Sequence, residues 1–303
     1  MKILIFGARG QLGLQIKNDL KKSNKVICLN KESKIYKADF RNPKNIIETI
    51  SKIKPEIIIN AAAYTSVDKS EVNKKLARTV NAITPNKISS ICKKSNILLI
   101  HFSSDYVFSG NGNTPWLETS LLRPKNYYGK TKKEADTKIL LSGCKYVIFR
   151  TSWVYSENGN NFLNTIIKLS KNKKSLNVID DQVGAPTSTK LISSAVKKVV
   201  VDYKKNKNES KFINQIYNIA PDGYISWFDF AIEIIRLLEK YKFKKKLKKE
   251  NIFRISSKDY FQTAERPLNS RLNTNKVKKV FDLKILPWQE YLKKILKIKL
   301  NKI

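Results

Sequence analysis

Three polar residues in the middle of the chain have types and spacing that suit proton transfer to a carbonyl oxygen. Tyr128 and Lys132 are four residues apart in a stretch of helical pattern, so their side chains lie on one helix face. A tyrosine has a pKa of about 10 in water, and a nearby ammonium group stabilises the phenolate and lowers that pKa. Ser104 follows an apolar run, where a hydroxyl can hydrogen bond to the carbonyl group. We interpret the three as a Ser–Tyr–Lys reductase site.

Each of these residues also has a purely structural interpretation. Lysine is abundant in this chain, so the Tyr–Lys spacing also arises by chance, and serines after a strand are typical of turns and caps. The adjacent Tyr127 has Thr131 four residues later, so only Tyr128 forms a Tyr–Lys pair at this spacing. The single histidine, His101, lies inside the apolar run before Ser104, and we expect it to be buried and structural.

A glycine-rich turn near the start of the chain has the spacing of a dinucleotide-binding loop. Gly7, Gly10 and Gly13 form a GxxGxxG pattern between an apolar run at residues 2–6 and an amphipathic stretch at residues 11–22. The first glycine permits a tight turn, the second lets the main chain approach a pyrophosphate, and the third lets helix and strand pack closely. The helix N-terminus would then bind the phosphates. The alternative is a glycine-rich turn without a ligand.

The end of the second apolar run indicates which nicotinamide dinucleotide would bind. An acidic residue there would hydrogen bond to the ribose 2′-hydroxyl of NADH, but the run ends in Asn30-Lys31, with Glu32 one position late. Lys31 and Arg9 could neutralise a 2′-phosphate, so we expect NADPH, with NADH as the alternative. Asp39-Phe40 could flank the adenine, although a helix cap before the proline at position 43 would also explain this pair.

Alternating apolar and amphipathic stretches predict the elements that must position these residues. The apolar runs at residues 2–6, 25–29, 56–60, 97–102 and 145–149 alternate with helical stretches at residues 11–22, 72–80, 85–94 and 127–141. This alternation is typical of βαβ units and a parallel sheet. We therefore predict an α/β fold, a modified Rossmann doubly wound parallel sheet with a smaller C-terminal α/β substrate lobe.

The alternation fades after about residue 155, which suggests a division of the chain. Residues 1–150 would form the NADP-binding Rossmann domain, completed by segments around residues 185–220. Residues 151–184 and 221–303 would form the substrate-binding lobe. Further strands are expected near residues 175–178 and 215–219, and a C-terminal helix over residues 287–302.

Composition restricts the class of protein and its partners. The 303 residues include 60 Lys and Arg against 25 Asp and Glu, a formal charge of +35 that could indicate nucleic acid or another anion. Arginine is scarce, however, and the Lys-rich stretches at residues 203–211 and 240–250 contain none, so we predict solvated surface and no nucleic-acid partner.

Three cysteines and one histidine argue against a disulfide framework and a metal site. Without a membrane-spanning run or signal peptide, the protein is expected to be cytoplasmic.

Segments along most of the chain match the pattern of one enzyme family. They are NAAAYTSVDKSE at residues 60–71, SSDYVFSG at 103–110, TPWLE at 114–118, PKNYYGKTK at 124–132, RTSWVY at 150–155, GNNF at 159–162 and DQVGAPT at 181–187. Together they resemble the dTDP-4-dehydrorhamnose reductases, which are extended short-chain dehydrogenase/reductases. The match weakens after residue 264, where only the stretch ERPLNS is similar.

The resemblance implies roles for individual residues. The catalytic residues would be Ser104, where the family often has threonine, together with Tyr128 and Lys132. The cofactor contacts would be Gly10, Gln11, Leu12, Asp39, Phe40, Ala61, Ala62, Ala63, Tyr64, Tyr128 and Lys132. The substrate contacts would be Ser104, Asp105 and Trp153.

The implied activity is NADPH-dependent reduction of the C4 keto group of dTDP-6-deoxy-L-lyxo-4-hexulose, which gives dTDP-L-rhamnose. The related 4,6-dehydratases carry an Asp-Glu pair after the strand-end hydroxyl, but here Asp105 is followed by Tyr106. Two alternatives stay open, a reductase of another nucleotide-linked 4-keto sugar and a non-catalytic NADP-binding regulatory subunit of the methionine adenosyltransferase type. The resemblance also allows a homodimer and Mg²⁺, although no acidic cluster specifies a metal site.

Overall fold

The computed structural model describes residues 1–206 and 211–301 of the chain, so part of the first Lys-rich stretch lies outside the described residues. The strands are β1 (Lys2–Phe6), β2 (Lys25–Leu29), β3 (Ile57–Asn60), β4 (Leu98–Ser104), β5 (Tyr146–Thr151), β6 (Val154–Tyr155), β7 (Leu176–Ile179), β8 (Val183–Gly184), β9 (Thr187–Ser188), β10 (Gln215–Asn218), β11 (Ile225–Ser226) and β12 (Ile252–Ile255).

The helices surround these strands. They are α1 (Gln11–Leu20), α2 (Pro43–Ile53), α3 (Val67–Val72), α4 (Lys74–Arg78), α5 (Thr84–Lys94), α6 (Tyr127–Leu141), α7 (Phe162–Asn172), α8 (Thr189–Lys205), α9 (Trp227–Lys240), α10 (Asn275–Phe281) and α11 (Trp288–Leu300). A π-helical turn, Thr79–Ile83, joins α4 to α5.

The central sheet has six parallel strands in the order β10-β5-β4-β3-β1-β2. Its inner strands β1, β3, β4 and β5 are buried on both sides because helices cover each face, whereas the edge strands β2 and β10 are partly exposed. One face packs on α1 and α8, and the other on α2, α5 and α6. The predicted doubly wound α/β fold is confirmed.

A separate apolar cluster holds together the elements outside this sheet. It is formed by α7, α9 and α11 with residues from β6, β7 and β12, and it buries Phe230, Ile234 and Leu292. Val277 and Phe281 of α10, by contrast, pack into the core of the central sheet. The division of the chain at the predicted boundaries stays a prediction, and it is supported by this second core and by the place of β10 in the sheet.

Two predicted elements differ from those observed. The helix predicted at residues 72–80 is interrupted at Asn73, which has non-helical dihedral angles between α3 and α4, and it continues into the π-helical turn. Strand β4 is longer than predicted and ends at Ser104, which pairs with Thr151 of β5. Ser104 is therefore the last residue of the strand and does not follow it.

Candidate active site

A cavity of about 510 Å³ opens at the carboxyl ends of β1, β2 and β3. Of the predicted cofactor-binding residues, those that line it are Gly7, Gly10, Lys31, Asp39, Phe40, Ala61, Ala62, Ala63 and Tyr64. Gln11, Leu12, Gly13, Tyr128 and Lys132 lie outside this lining. The structure thus gathers residues that are far apart in the sequence at the edge of the sheet where doubly wound folds bind ligands.

The floor of this cavity depends on a close approach between two main-chain segments. Gly7 has a φ of +76°, and a Cβ there would lie 2.6 Å from main-chain atoms of Ala61 and Ala62. Asn60 shapes the second segment, because its side-chain oxygen accepts a hydrogen bond from the Ala62 amide at 3.2 Å. The Asn60 amide also contacts His101 Nδ1 at 3.1 Å, so the buried histidine supports the cavity wall.

Charged groups around the cavity differ in part from the prediction. Lys31 and Arg9 both line the cavity, and the Arg9 guanidinium is paired there with Glu32. Arg41, which sequence reasoning missed, also lines the cavity and hydrogen bonds to Asp39 at 2.8 Å. This contact holds the pKa of the Asp39 carboxyl below its usual value.

Asp39 is not the cap of the following helix. The N-cap of α2 is Asn42, whose side chain accepts from the Asn45 amide at 3.4 Å. The capping alternative to a cofactor role for Asp39 is therefore wrong. The signal that could have found Arg41 is its position two residues after Asp39, where a long basic side chain reaches back to the carboxylate.

Helix α1 begins at Gln11, at the mouth of the glycine-rich turn. The Gln11 side chain hydrogen bonds to Val154, Ser156 and Asn161, and Leu12 packs against the sheet. With these two side chains engaged elsewhere, the groups that the turn could offer to a phosphate are the main-chain N–H groups, which have no intrahelical acceptor in the first turn of a helix.

The first turn of α6 is fixed against the end of β4. The Asn126 side chain caps the helix by accepting from the Gly129 amide at 2.8 Å. A Cβ at Gly129 would overlap the main-chain oxygen of Tyr106, so glycine permits the close approach. Tyr128, in this same turn, packs edge-on against the Tyr106 ring with 5.5 Å between ring centroids. The predicted catalytic residues are thus brought together from two elements.

Ser104 and Asp105 form a buried polar pair next to Tyr128. The Ser104 hydroxyl donates to Asp105 Oδ1 at 2.8 Å and accepts from the Tyr106 amide at 3.2 Å. Burial raises the pKa of Asp105 to about 6, against the lowering effect of the Ser270 and Ser104 hydroxyls. The carboxyl group therefore changes charge close to physiological pH.

The pKa of Tyr128 is raised, whereas the sequence predicted that Lys132 would lower it. Burial is the main cause of the rise, the Asp105 and Asp136 charges add to it, and the Ser104 hydroxyl opposes it. The Lys132 ammonium donates to the Phe102 carbonyl at 2.6 Å and does not offset these effects. The expected lowering is wrong for this arrangement, and Tyr128 keeps its proton at neutral pH.

Lys132 itself lies almost completely buried beneath the site. Burial lowers its pKa to about 8, and the nearby Asp136 carboxylate opposes that shift. Asp136 lies one turn further along α6 and is held by the buried Arg150 guanidinium at 3.0 Å. A fixed anion in this position favours the charged form of Lys132.

Trp153, the predicted substrate contact, has a constrained position. Its φ is +49°, and its ring stacks on Trp227 with 3.5 Å between centroids. A Cβ at Gly184 would lie 2.8 Å from the Trp153 ring and 2.9 Å from the Ser270 side chain. The Ser270 side chain in turn hydrogen bonds to Asp105 and lowers its pKa. Trp153 is therefore connected to the Ser104–Asp105 pair through Gly184 and Ser270.

The segment at residues 264–270, which we call the strap, crosses the same region. Its Glu265 carbonyl accepts from the Asn126 amide at 2.7 Å, and Arg266 pairs with Asp68. The strap therefore joins the cap of α6 to the start of α3. Sequence reasoning identified it only as the partial match ERPLNS and gave it no role.

The described part of the chain also limits metal and membrane binding. It contains no group of three or more histidine, cysteine, aspartate or glutamate side chains that could hold a metal ion. Within residues 1–206 and 211–301, no helix has the length and apolar character needed to cross a bilayer.

The fold, with its six-stranded parallel sheet, is that of the extended short-chain dehydrogenase/reductases. The model of one family, described as the RmlD substrate binding domain, matches residues 1–300, and the chain belongs to that family.

Individual relatives are similar over nearly their whole length. The chain is 39% identical to a dTDP-4-dehydrorhamnose reductase of Salmonella typhimurium, covering 98% of this chain and 97% of the relative. Among solved structures, a dTDP-4-dehydrorhamnose reductase of Clostridium acetobutylicum is 33% identical with a TM-score of 0.87, covering 98% of this chain and 99% of that one. A Bacillus anthracis dTDP-4-dehydrorhamnose reductase in complex with NADP is 29% identical, with the same coverage and TM-score.

Proposed function

We propose that this protein is a dTDP-4-dehydrorhamnose reductase that uses NADPH. It would reduce the C4 keto group of dTDP-6-deoxy-L-lyxo-4-hexulose and release dTDP-L-rhamnose. The observation that carries the proposal is the convergence of Ser104, Tyr128 and Lys132 at the carboxyl end of β4, in a chain similar end to end to such reductases.

The cavity beside the glycine-rich turn fits a dinucleotide. Main-chain N–H groups at the start of α1 would bind the pyrophosphate, and Ala61–Ala63 would form the wall next to it. Lys31 and Arg41 would contact the 2′-phosphate, which favours NADPH over NADH. When bound, NADPH supplies the hydride that reduces C4. The proposal gives no role to Mg²⁺, because the described residues offer no cluster of carboxylates for it.

Tyr128 would donate the proton that the new C4 alkoxide requires. Its raised pKa means that the hydroxyl is protonated when the substrate arrives, and an alkoxide is far more basic than a phenolate. Ser104 would orient and polarise the carbonyl group once its hydrogen turns from Asp105 to the substrate oxygen. Lys132, charged below about pH 8, would stabilise the tyrosinate that remains and help to return its proton.

Trp153 and Asp105 would bind the sugar nucleotide. The Trp153 ring is stacked on Trp227 and so offers a fixed apolar surface to the sugar. Asp105 lies next to Ser104, where its carboxylate can accept from a sugar hydroxyl as well as from the serine. Both contacts are proposals that rest on the position of these side chains at the end of β4 and after β5.

The test is NADPH oxidation, followed by absorbance, with the dTDP-linked 4-keto-6-deoxy-L-sugar generated in the reaction mixture. The UDP-linked analogue is measured in parallel. We expect turnover with the dTDP substrate and slower turnover with the UDP analogue. No oxidation with either substrate would contradict the proposal, and faster turnover with the UDP analogue would assign a different nucleotide.

A further inference from the structure

The Gln11 side chain connects the glycine-rich turn to the opposite side of the active site. Its amide Nε2 donates to the Val154 carbonyl at 3.1 Å. Its Oε1 accepts from the Ser156 hydroxyl at 3.3 Å and from the Asn161 amide at 3.2 Å. The polar atoms of this side chain are therefore used by residues about 145 positions away and not by the cofactor cavity.

The segment that receives Gln11, residues 154–161, is itself firmly held. Asn161 caps α7 by accepting from the Asn164 amide at 3.0 Å, and its own amide also donates to the Ser156 and Asn158 carbonyls. The Asn161 side chain therefore contacts the first turn of α7, the main chain of the 154–161 segment and Gln11. Through these contacts a shift of the glycine-rich turn would be passed to the whole segment. We call Gln11 with residues 154–161 the latch.

The latch reaches the proposed substrate site through one peptide unit. Trp153 directly precedes Val154, the residue whose carbonyl accepts from Gln11. The Trp153 ring is stacked on Trp227, and the main chain of Trp153 is in the left-handed region. The position of the ring therefore depends on Trp227 and on the adjoining Val154. Gln11 thus sits between the proposed pyrophosphate contact and the proposed sugar contact.

We propose that Gln11 is a positioning residue that couples NADPH binding to sugar-nucleotide binding, an inference that rests on the proposed function. Pyrophosphate bound at the start of α1 would fix Gln11, which fixes the Val154 carbonyl and therefore the adjoining Trp153. Such coupling is reciprocal, so each ligand tightens the binding of the other by the same factor.

The test measures the binding of dTDP-L-rhamnose by calorimetry with and without saturating NADPH. These two ligands cannot react with each other, because both are in the reduced form. In the unmodified protein we expect NADPH to lower the Kd of dTDP-L-rhamnose about 5–10-fold, at the lower end of common coupling factors. In Gln11→Met, which keeps the length of the side chain but removes its polar atoms, the factor should fall to about 1–2. Gln15→Ala is the matched control, because Gln15 lies one turn further along α1 and bonds only to Asp19 in the described residues.

A second variant approaches the latch from the other side. Ser156→Ala removes one of the three contacts to Gln11, so it should lower the coupling factor in part. The inference is overturned if Gln11→Met and Ser156→Ala both keep the full factor, or if the unmodified protein binds both ligands without coupling. Failure of the proposed function is distinct, since the unmodified protein would then bind no dTDP-L-rhamnose, and the inference would fall with it.

Discussion

The Tyr128 hydroxyl holds its proton more tightly than a tyrosine in water does. Burial removes the solvent that would stabilise a phenolate, and the Asp105 charge next to it opposes ionisation further. This favours a proton donor over a pre-formed base, which is the direction that carbonyl reduction requires. The same surroundings would make the reverse reaction depend on Lys132, the nearby cation that can stabilise the tyrosinate.

The pH dependence of the reaction should follow Lys132. Its pKa of about 8 means that the ammonium is charged at lower pH and loses its proton as the pH rises through that value. We expect kcat/KM for NADPH, which reports the free enzyme, to be level near neutral pH and to fall about tenfold per pH unit above pH 8.

The matching control for this profile is Lys132→Arg, since a guanidinium stays charged throughout the range. The variant should be slower because its side chain is larger, but it should lack the alkaline fall. An unchanged fall near pH 8 in Lys132→Arg would show that another group is responsible.

Cofactor preference should depend on Lys31. Its exposed side chain lines the cavity at the end of β2, where the 2′-phosphate is expected. Replacement Lys31→Glu should raise the KM for NADPH about tenfold or more and leave the KM for NADH nearly unchanged, because only NADPH carries the phosphate. Lys34→Glu changes the net charge equally, but Lys34 is exposed outside the cavity lining, so it should alter neither KM. Equal effects of the two variants would argue against a local contact.

At the scale of elements, α6 is fixed at several points along its length. Asn126 caps it, Gly129 lets it approach the loop after β4, and Asp136 joins it to β5 through Arg150. The Arg150 guanidinium also donates to the Glu118 carbonyl at 3.0 Å and lies over the Phe108 ring. The helix that carries Tyr128 and Lys132 is therefore held by buried polar contacts as well as by apolar packing.

Loss of the buried ion pair should destabilise the protein strongly. Arg150→Met leaves the Asp136 carboxylate buried without its partner, and we expect a loss of about 3–5 kcal/mol in the free energy of unfolding. Chemical denaturation followed by circular dichroism measures it. The control is Arg78→Met, which breaks the solvent-exposed pair between Arg78 and Glu134 of the same helix and should change the midpoint little. Similar losses in the two variants would contradict the assigned role of burial.

Elements with strong periodicity were predictable from the sequence, and those shaped by distant contacts were not. Helix α6 has the predicted bounds, residues 127–141. The π-helical turn is held by a distant contact, since Asn81 in that turn exchanges hydrogen bonds with the Tyr64 main chain. No local pattern signals such a contact.

For the whole molecule, the sequence predicted the sheet and the convergence of the Ser–Tyr–Lys residues, because strand ends and helix faces follow from periodicity. It did not predict the strap, the latch or the direction of the Tyr128 pKa. Each depends on pairs such as Asp68–Arg266 and Gln11–Val154, which are far apart in the chain. Burial at the Tyr128 hydroxyl is likewise a property of the assembled site.

The formal charge of +35 comes from basic residues all along the chain, of which, among the described residues, only Arg9, Lys31 and Arg41 line the cofactor cavity. It should nevertheless attract the anionic NADPH and sugar nucleotide, so salt should weaken binding more than it slows the chemical step. Between about 50 and 500 mM NaCl we expect the KM for NADPH to rise several-fold while kcat changes less than about twofold. NADH lacks the 2′-phosphate and should show a smaller rise in KM. A salt effect mainly on kcat would contradict this explanation.

The central claim is that Tyr128 supplies the proton in a reductase, and the most direct measurement compares two neighbouring tyrosines. Tyr128→Phe should lower kcat for NADPH oxidation with the dTDP-linked keto sugar by about 10²–10⁴-fold, while the Kd for NADPH stays nearly unchanged. Tyr127→Phe is the control, since the Tyr127 ring faces Lys74 outside the site, and it should keep nearly full activity. Full activity in Tyr128→Phe would contradict the account.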